Sequence, residues 1–290
     1  MNALKTGLLM MAIFGLFLLV GAQFGPGGLT IAIIMALAMN GIAYWFSDKI
    51  VLAMNRAKEI PPEAAPRLHR MVEELAERAH IPKPRVYVVE NPSPNAFATG
   101  RNPQHAAVAV TTGIMRLLTD EELEAVLAHE LGHVGNRDIL IQSIVATVAA
   151  AISSLAMMAR WGMILGGHGG RDRDRGGNVI VLLAMAILAP IAAMVIQMWI
   201  SRTREYAADR TGGNLCGNPL NLASALRKLQ SGTQRVPLDA APATAHMYIV
   251  NPLSGRSLMS LFSTHPAVEE RIARLTEQAR KMGQAENETR

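Results

Sequence analysis

One short run in the sequence has residue types and spacing that can bind a metal ion, His129-Glu130-Leu131-Gly132-His133. In an α-helix, residues four apart are rotated by about 400°, so both imidazoles lie on one face, about one turn apart. Such a pair can chelate zinc, and Glu130, offset by about 100°, can hold a water molecule against the metal. The run therefore predicts a catalytic zinc centre. The alternative is two surface histidines with an incidental glutamate.

The rest of the composition indicates that part of the chain lies in lipid. Half of the 290 residues are hydrophobic and 18% are charged, which is too little charge for a water-soluble domain of this length. Four apolar runs supply the excess: Leu8–Val20, Leu29–Phe46, Ile139–Met158 and Val179–Ile200. They predict four spanning helices, each of which needs about 20 apolar residues. The first run also resembles a signal peptide, and cleavage there would leave the predicted topology unchanged.

The basic residues predict how these spans are oriented. One side of the membrane would hold Lys5, Lys49, Arg56, Lys58, Arg137, Arg202, Arg204 and Arg210. The other side would hold Arg160, Arg171, Arg173 and Arg175. The first side is therefore predicted to be cytoplasmic. The single cysteine, Cys216, rules out an internal disulfide and suits a reducing compartment.

The spans divide the chain into four predicted parts. They are a transmembrane hairpin at 1–46, a catalytic part at 47–138, a second hairpin at 139–200 with a loop at 159–178, and a catalytic part at 201–290.

The pI of about 9.7 favours attraction to anionic lipid headgroups. Nucleic acid is excluded as a partner, because aromatic residues make up only 4% and no base-reading motif is found.

Helices and strands are predicted to alternate in the first catalytic part. Pro61-Pro62 begins an amphipathic helix, whose apolar face would hold Leu68, Met71, Val72, Leu75 and Ala76. Arg85–Val89 and Ala106–Thr112 are predicted strands, and the cluster at 91–95 is a predicted loop. Thr119 and Glu122 form a capping-box pattern, which begins the helix that carries the zinc-binding run.

The helix of the zinc-binding run is predicted to continue past Arg137 into the third span. Asp138 is then too close to His133 on a rigid helix to fold back onto the ion. In the second catalytic part, a helix is predicted through 204–209, with a break near Gly212-Gly213. Further helices are predicted at 219–229 and 267–281.

A catalytic zinc usually has a third protein ligand and one position open to water. The remaining candidates are Glu205, Asp209, Asp239, His246, His265, Glu269 and Glu270. Glu205 is favoured because it and His133 both lie about 8–9 Å from the same predicted membrane boundary, on neighbouring helices. Asp209, one turn beyond Glu205, can accept a hydrogen bond from a ligand histidine. From the residues alone, His265 stays undecided between a functional and a structural role.

Four segments together resemble the HtpX family of membrane zinc metalloproteases, which are relatives of the CAAX-prenyl-protease group. These segments are His129-Glu-Leu-Gly-His133-Val-Gly-Asn136-Arg-Asp138, Glu205-Tyr-Ala-Ala-Asp209, Thr264-His265-Pro266 with Arg271, and Asn95-Ala-Phe-Ala98 with the strand that follows it. The resemblance covers most of the chain, including the four-span layout. The glycine-, arginine- and aspartate-rich loop at 166–177 departs from the family pattern.

The resemblance implies an α+β fold, with a four-helix transmembrane region and a cytoplasmic gluzincin-like (zincin) metalloprotease domain. It implies one Zn²⁺ per chain, held by His129, His133 and Glu205, and a role in protein quality control at the bacterial inner membrane. It also implies that His265 and Arg271 belong to the active site, and that Asn95 lies near the substrate.

The expected reaction is therefore hydrolysis of peptide bonds in unfolded or misfolded membrane proteins. Glu130 would be the general base, and His265, supported by Arg271, would stabilise the oxyanion. Val108 and Val110 lie on the predicted strand 106–112, which would bind substrate by backbone pairing. The alternatives are an intramembrane-cleaving metalloprotease, a non-catalytic zinc-holding membrane chaperone, and a zinc transporter. Polar residues around the zinc-binding run argue against intramembrane cleavage, and the lone cysteine argues against a structural zinc site. A transporter would need ionisable residues inside the spans, which have essentially none.

Overall fold

The computed structural model describes residues 2–22, 25–145, 202–235, 249 and 266–288. Most of the predicted second hairpin, from residue 146 onwards, lies outside these residues, as do its loop at 159–178 and His265. The described parts combine helices with one sheet, which confirms the predicted α+β class.

The N-terminal part is a pair of helices, α1 (Asn2–Ala22) and α2 (Gly25–Met54), packed against each other. Of the described helices, α2 is the one long and apolar enough to cross a membrane. It exposes large apolar side chains along its length: Ile31, Ile34, Leu37, Ile42, Trp45 and Phe46. The helix runs eight residues beyond the predicted end at Phe46, because Val51 and Leu52 at its end are buried against the sheet.

The sheet has four strands in the order β1-β2-β4-β3. These are β1 (Lys58–Glu59), β2 (Arg85–Val89), β3 (Ala96–Gly100) and β4 (Ala106–Thr111). β2 and β4 are parallel, and β3 is antiparallel to β4. β2 has its predicted bounds. β3 was not predicted, because only Phe97 and Thr99 among its five residues favour strands.

Each face of the sheet packs against different helices. One face meets the end of α2, through Val51, Leu52, Tyr87, Val89, Phe97, Ala107 and Ala109. The other face meets α3 (Pro66–Arg78), α5 (Asp120–Gly135) and α7 (Pro219–Arg235) in the main core. A 3₁₀ turn at Pro103–His105 precedes β4, and α4 (Thr112–Leu117) follows β4 directly. The sheet therefore lies between the apolar N-terminal helix pair and the helix that carries the metal-binding run.

Two predicted helix starts have different outcomes. The apolar face of α3 is buried as predicted, but the helix begins at Pro66 rather than at Pro61-Pro62. Proline suits the first turn of a helix, where its missing N–H would have had no partner. The capping box that begins α5 is confirmed, since Thr119 and Glu122 each bond to the other's backbone N–H.

Two predictions about helix continuity are wrong. The helix of the run does not continue into the third span: α5 ends at Gly135, Arg137 has a positive φ of 60°, and a new helical stretch covers 139–145. Conversely, α6 (Arg202–Leu215) passes through Gly212-Gly213 without a break. The last described helix, α8, spans Val268–Glu288.

Candidate active site

Helices α5 and α6 cross at very short distance, and this crossing brings the predicted metal donors together. A Cβ atom on Gly212 of α6 would lie 2.8 Å from the backbone Cα and N of His129 on α5. Only glycine allows two helix backbones to approach this closely. Gly212, which was predicted to break a helix, therefore serves the packing of α6 against α5 instead.

The two imidazoles and the Glu205 carboxylate converge in the buried space at this crossing. His129 Nε2 lies 3.7 Å from Glu205 Oε2, and His133 Nε2 lies 3.5 Å from Glu205 Oε1. One donor atom from each residue lies within 4.8 Å of the other two. Donors on a tetrahedral zinc at about 2.0–2.1 Å are about 3.3–3.4 Å apart. The donor types and burial therefore fit a zinc ion, and binding would draw the donors closer together.

The far nitrogen of each imidazole faces a carboxylate. His129 Nδ1 lies 3.0 Å from Asp209 Oδ1, and His133 Nδ1 lies 3.4 Å from Asp138 Oδ2. A carboxylate at Nδ1 fixes the tautomer in which Nε2 is free to bind a metal. The sequence predicted Asp209 in this position. Asp138 was excluded as a metal ligand on the assumption of a continuous helix, and its place behind His133 was not predicted; the break after Gly135 removes that assumption.

Charged groups in this buried region shift each other's pKa. Burial alone would raise the pKa of Asp209, but Arg271 and His129 outweigh it and lower that pKa to about 2. Burial would lower the pKa of His133, but its hydrogen bonds with Asp138 and Glu205 raise it to about 10. Zinc needs the neutral imidazole, so metal binding at this position must displace a proton.

Glu130 is buried beside the same imidazoles and is held by the sheet. The Ala98 N–H in β3 donates to Glu130 Oε2 at 2.9 Å. Burial raises the pKa of Glu130 above its ordinary value. Because β3 was not predicted, sequence analysis missed this contact, and only the Asn95-Ala-Phe-Ala98 segment of the family resemblance pointed to the region.

Arg271 is fully buried and its guanidinium faces Asp209. Its Nε and Nη2 donate to the two carboxylate oxygens of Asp209, at 2.8 and 2.7 Å, and its Nη1 donates to the Ile249 carbonyl at 2.8 Å. Nη1 also lies 3.9 Å from Glu205 Oε2. The structure thus places Arg271 behind His129, in contact with the carboxylate that orients it.

The remaining predicted substrate residues lie on and beside the sheet. Asn95 is buried at the start of β3, and its Oδ1 accepts from the Ile249 N–H at 3.3 Å, so Ile249 links it to Arg271. Val108 and Val110 are fully buried on β4. The prediction that this strand pairs with substrate is wrong, because both of its edges are already occupied by β2 and β3.

Comparison with known proteins agrees with this geometry. Residues 62–279 match the sequence model of peptidase family M48. A protease HtpX homologue of Persephonella marina is 58% identical over 289 residues, covering 98% of this chain and 99% of its own. Another, of Desulfatibacillum aliphaticivorans, is 57% identical over 276 residues, covering 95% of this chain and 89% of its own.

A solved structure gives an independent comparison of the fold. The crystal structure of Ste24p from S. mikatae matches with a TM-score of 0.53 and 21% identity, over 94% of this chain and 65% of that one. The structural likeness to Ste24p supports the fold. The family assignment rests on the match to the M48 family and on the 57–58% identity with the HtpX homologues. The chain therefore belongs to peptidase family M48, among the HtpX proteases, and is a membrane-associated zinc metalloprotease.

Proposed function

We propose that this chain hydrolyses peptide bonds at one zinc ion held by His129, His133 and Glu205. The observation that carries the proposal is the convergence of these three buried donors, two of them backed by a carboxylate at Nδ1. Bound zinc supplies Lewis acidity toward the scissile carbonyl and lowers the pKa of its water toward about 7. Three protein donors leave a position for that water, as catalytic sites require.

Glu130 is the proposed general base, and the sheet fixes its position. The hydrogen bond from Ala98 holds its carboxylate beside the two imidazoles, where it can take a proton from the attacking water and return it to the leaving amine. His265 remains the candidate donor to the oxyanion, a contribution typically worth about 3 kcal/mol. Arg271 acts instead through Asp209, whose carboxylate it holds against His129.

β3 replaces β4 as the proposed strand for substrate binding. It is the last of the described strands on the Glu130 side of the sheet, and the Ala98 N–H points away from β4. Successive outward backbone groups on this strand therefore fall at Ala96, Ala98 and Gly100. The N–H groups of Ala98 and Gly100 already donate to Glu130 and Ser143. A peptide added along this edge would therefore bond mainly to the outward carbonyl oxygens, with little dependence on its sequence. Such binding suits a protease that acts on unfolded segments.

Two substitutions test the metal and the base separately. Glu130→Gln should retain one zinc per chain and lower cleavage of an unfolded membrane protein by about 10²–10⁴-fold, since the general base is removed. Glu205→Ala should lower the zinc content itself, because one of three protein ligands is lost. Zinc analysis of the detergent-purified proteins alongside gel-based cleavage distinguishes the two effects. Wild-type cleavage by Glu130→Gln, or full zinc content in Glu205→Ala, would contradict the assignment.

The proposed membrane arrangement is two hairpins, at 1–46 and 139–200, in the bacterial inner membrane. The exposed apolar side chains of α2 need an apolar solvent. Ile141, Ile144 and Val145, at the start of the proposed third span, pack with Ala43 of α2. The helical stretch 139–145 therefore joins the N-terminal pair, as a third helix of one bundle would.

The cytoplasmic location of the catalytic domain can be tested with a single reporter cysteine. In a Cys216→Ser background, Glu277→Cys places a thiol on an exposed face of α8. A membrane-impermeant maleimide should label it in inverted vesicles and leave it unlabelled in intact spheroplasts. The reverse pattern would place the catalytic domain outside the cytoplasm.

The proposed substrates are unfolded or misfolded membrane proteins, cut close to the membrane surface. Arg101 stacks on Trp45 of α2, with its guanidinium carbon 4.7 Å from the ring centroid. Tryptophan is enriched at the lipid–water interface, so Trp45 marks the proposed membrane boundary. Arg101 is only three residues along the chain from Ala98, which holds Glu130, and strand residues rise about 3.3 Å each. The active site therefore lies roughly 10 Å from the proposed interface.

A further inference from the structure

Each of the two candidate ligand histidines contacts an aspartate, and that aspartate in turn lies beside an arginine. His129 Nδ1 faces Asp209, which binds Arg271. His133 Nδ1 faces Asp138, and the Oδ1 atom of Asp138 lies 3.8 Å from Arg204 Nη1. The distances in the second series, 3.4 and 3.8 Å, are longer than those in the first, 3.0 and 2.8 Å. Sequence patterns gave neither Asp138 nor Arg204 a role, and Arg204 has none in the proposed mechanism.

The break after α5 puts Asp138 in this position. On a continuous helix, five residues would rotate Asp138 about 140° away from His133. Instead, the positive φ of Arg137 turns the chain back, and the Asp138 N–H donates to the His133 carbonyl at 2.9 Å. The Asp138 side chain is 2% exposed. A buried carboxylate is costly unless charged or hydrogen-bonding groups meet it, and here an imidazole and a guanidinium do.

Arg204 connects this break to the third candidate ligand. It precedes Glu205 on α6, and its side chain is 10% exposed. Asp138 itself leads into the helical stretch 139–145, since the Gln142 N–H donates to its carbonyl at 3.2 Å. The carboxylate of Asp138 therefore meets an imidazole of α5 and a guanidinium of α6, while its backbone carbonyl belongs to the start of the next helix.

We propose that Asp138 is a positioning residue, which orients His133 for metal binding, and that Arg204 holds Asp138 in place. The inference rests on the proposed zinc site. In this arrangement the metal binds two imidazoles that are each fixed by a separate aspartate–arginine pair. The Asp138–Arg204 pair also links the turn that follows α5 to α6.

The test compares Asp138→Ala, Asp138→Asn and Arg204→Gln with Asp48→Asn in the full-length protein. Asp48 of α2 forms a more exposed pair with Arg85 of β2 at 3.3 Å, on elements that carry none of the metal donors, and serves as the control. Zinc affinity is measured by competition with a chromogenic chelator, which does not depend on activity. Loss of an outer carboxylate typically weakens metal binding about 10–100-fold. We expect that loss for Asp138→Ala, a smaller one for Asp138→Asn, whose amide oxygen can still accept from Nδ1–H, and none for Asp48→Asn.

Two further readouts distinguish positioning from a purely structural role. The visible absorption spectrum of the Co²⁺-substituted protein should change in Asp138→Ala and not in Asp48→Asn, since ligand orientation changes. Combining Asp138→Ala with Arg204→Gln should weaken zinc binding no further than Asp138→Ala alone. Wild-type zinc affinity and spectrum in Asp138→Ala, with equal loss of thermal stability with and without metal, would overturn the inference. A wild-type protein that binds no zinc would instead overturn the proposed function on which it rests.

Discussion

At the residue scale, the centre is built from charges that are buried only because each one meets another. Asp209 contacts both His129 and Arg271, and it is 3% exposed as a residue. A pair of this kind adds little net stability over an apolar pair, but removal of one partner leaves an uncompensated charge inside the protein. Its value here lies in geometry, since it holds an imidazole in the tautomer and orientation that zinc needs.

Substitution of Arg271 should therefore be far more costly than substitution of an exposed arginine on the same helix. We expect Arg271→Met to lower the free energy of unfolding by about 3–5 kcal/mol, because Asp209 stays buried and charged. Arg274→Met, at a side chain that is 55% exposed, should cost about 1 kcal/mol or less. Chemical denaturation of the metal-free proteins in detergent measures both. Equal costs would contradict the role given to the Arg271–Asp209 pair.

At the scale of elements, the site depends on how closely two helices approach. α5 supplies both imidazoles and Glu130, and α6 supplies Glu205 and Asp209. Gly212 lies where the α6 backbone meets the α5 backbone at His129. Any side chain at this position must push the helices apart, and a shift there moves Glu205 away from the imidazoles.

Gly212→Ala should consequently weaken zinc binding at a position that contacts no metal. The new methyl group would meet backbone atoms 2.8 Å away, and overpacking of this kind typically costs about 1–3 kcal/mol. Gly135→Ala is the matched control, because its Cβ, at the C-terminal end of α5, would meet nothing within 4 Å. We expect reduced zinc affinity and lower stability for Gly212→Ala alone. Unchanged zinc affinity in that variant would show that the crossing tolerates expansion.

At the scale of the whole molecule, the catalytic sheet is fixed to the apolar N-terminal helices. The end of α2 belongs to one of the cores of the sheet, and Thr99 of β3 hydrogen-bonds to Ser143 of the stretch 139–145 at 2.7 Å. The proposed substrate strand is thereby held close to the proposed lipid interface marked by Trp45. We therefore expect distance from the membrane, rather than sequence, to be the main constraint on where a substrate is cut.

A set of reporter substrates would test this constraint. Each carries one transmembrane helix followed by an unstructured linker of increasing length and a folded domain. Mass spectrometry of the products should place the cuts in the linker within a few residues of the membrane surface, at similar positions for every linker length. Cuts inside the transmembrane helix would favour the alternative of intramembrane cleavage. Cuts spread evenly along long linkers would show that the distance does not matter.

The sequence by itself was sufficient for the parts that depend on local spacing. The H-E-x-x-H spacing, the capping box of Thr119 and Glu122, and the bounds of β2 follow from contacts between residues close in the chain. The position of Glu205 after an apolar run also pointed to its place beside the imidazoles, although that argument assumed a continuous helix from His133 into the third span, and α5 ends at Gly135. The family was recognisable from the same motifs.

Only the tertiary structure decided which groups meet across long stretches of the chain. β3 has weak strand propensity and forms because β4, α2 and α5 surround it, so its contact with Glu130 had no local signal apart from the family motif. The turn that brings Asp138 back to His133 was hidden by the apolar run that follows it, although Gly135-Asn136 is a helix-ending signal. Packing between distant segments set these contacts, and local sequence patterns carry no information about such packing.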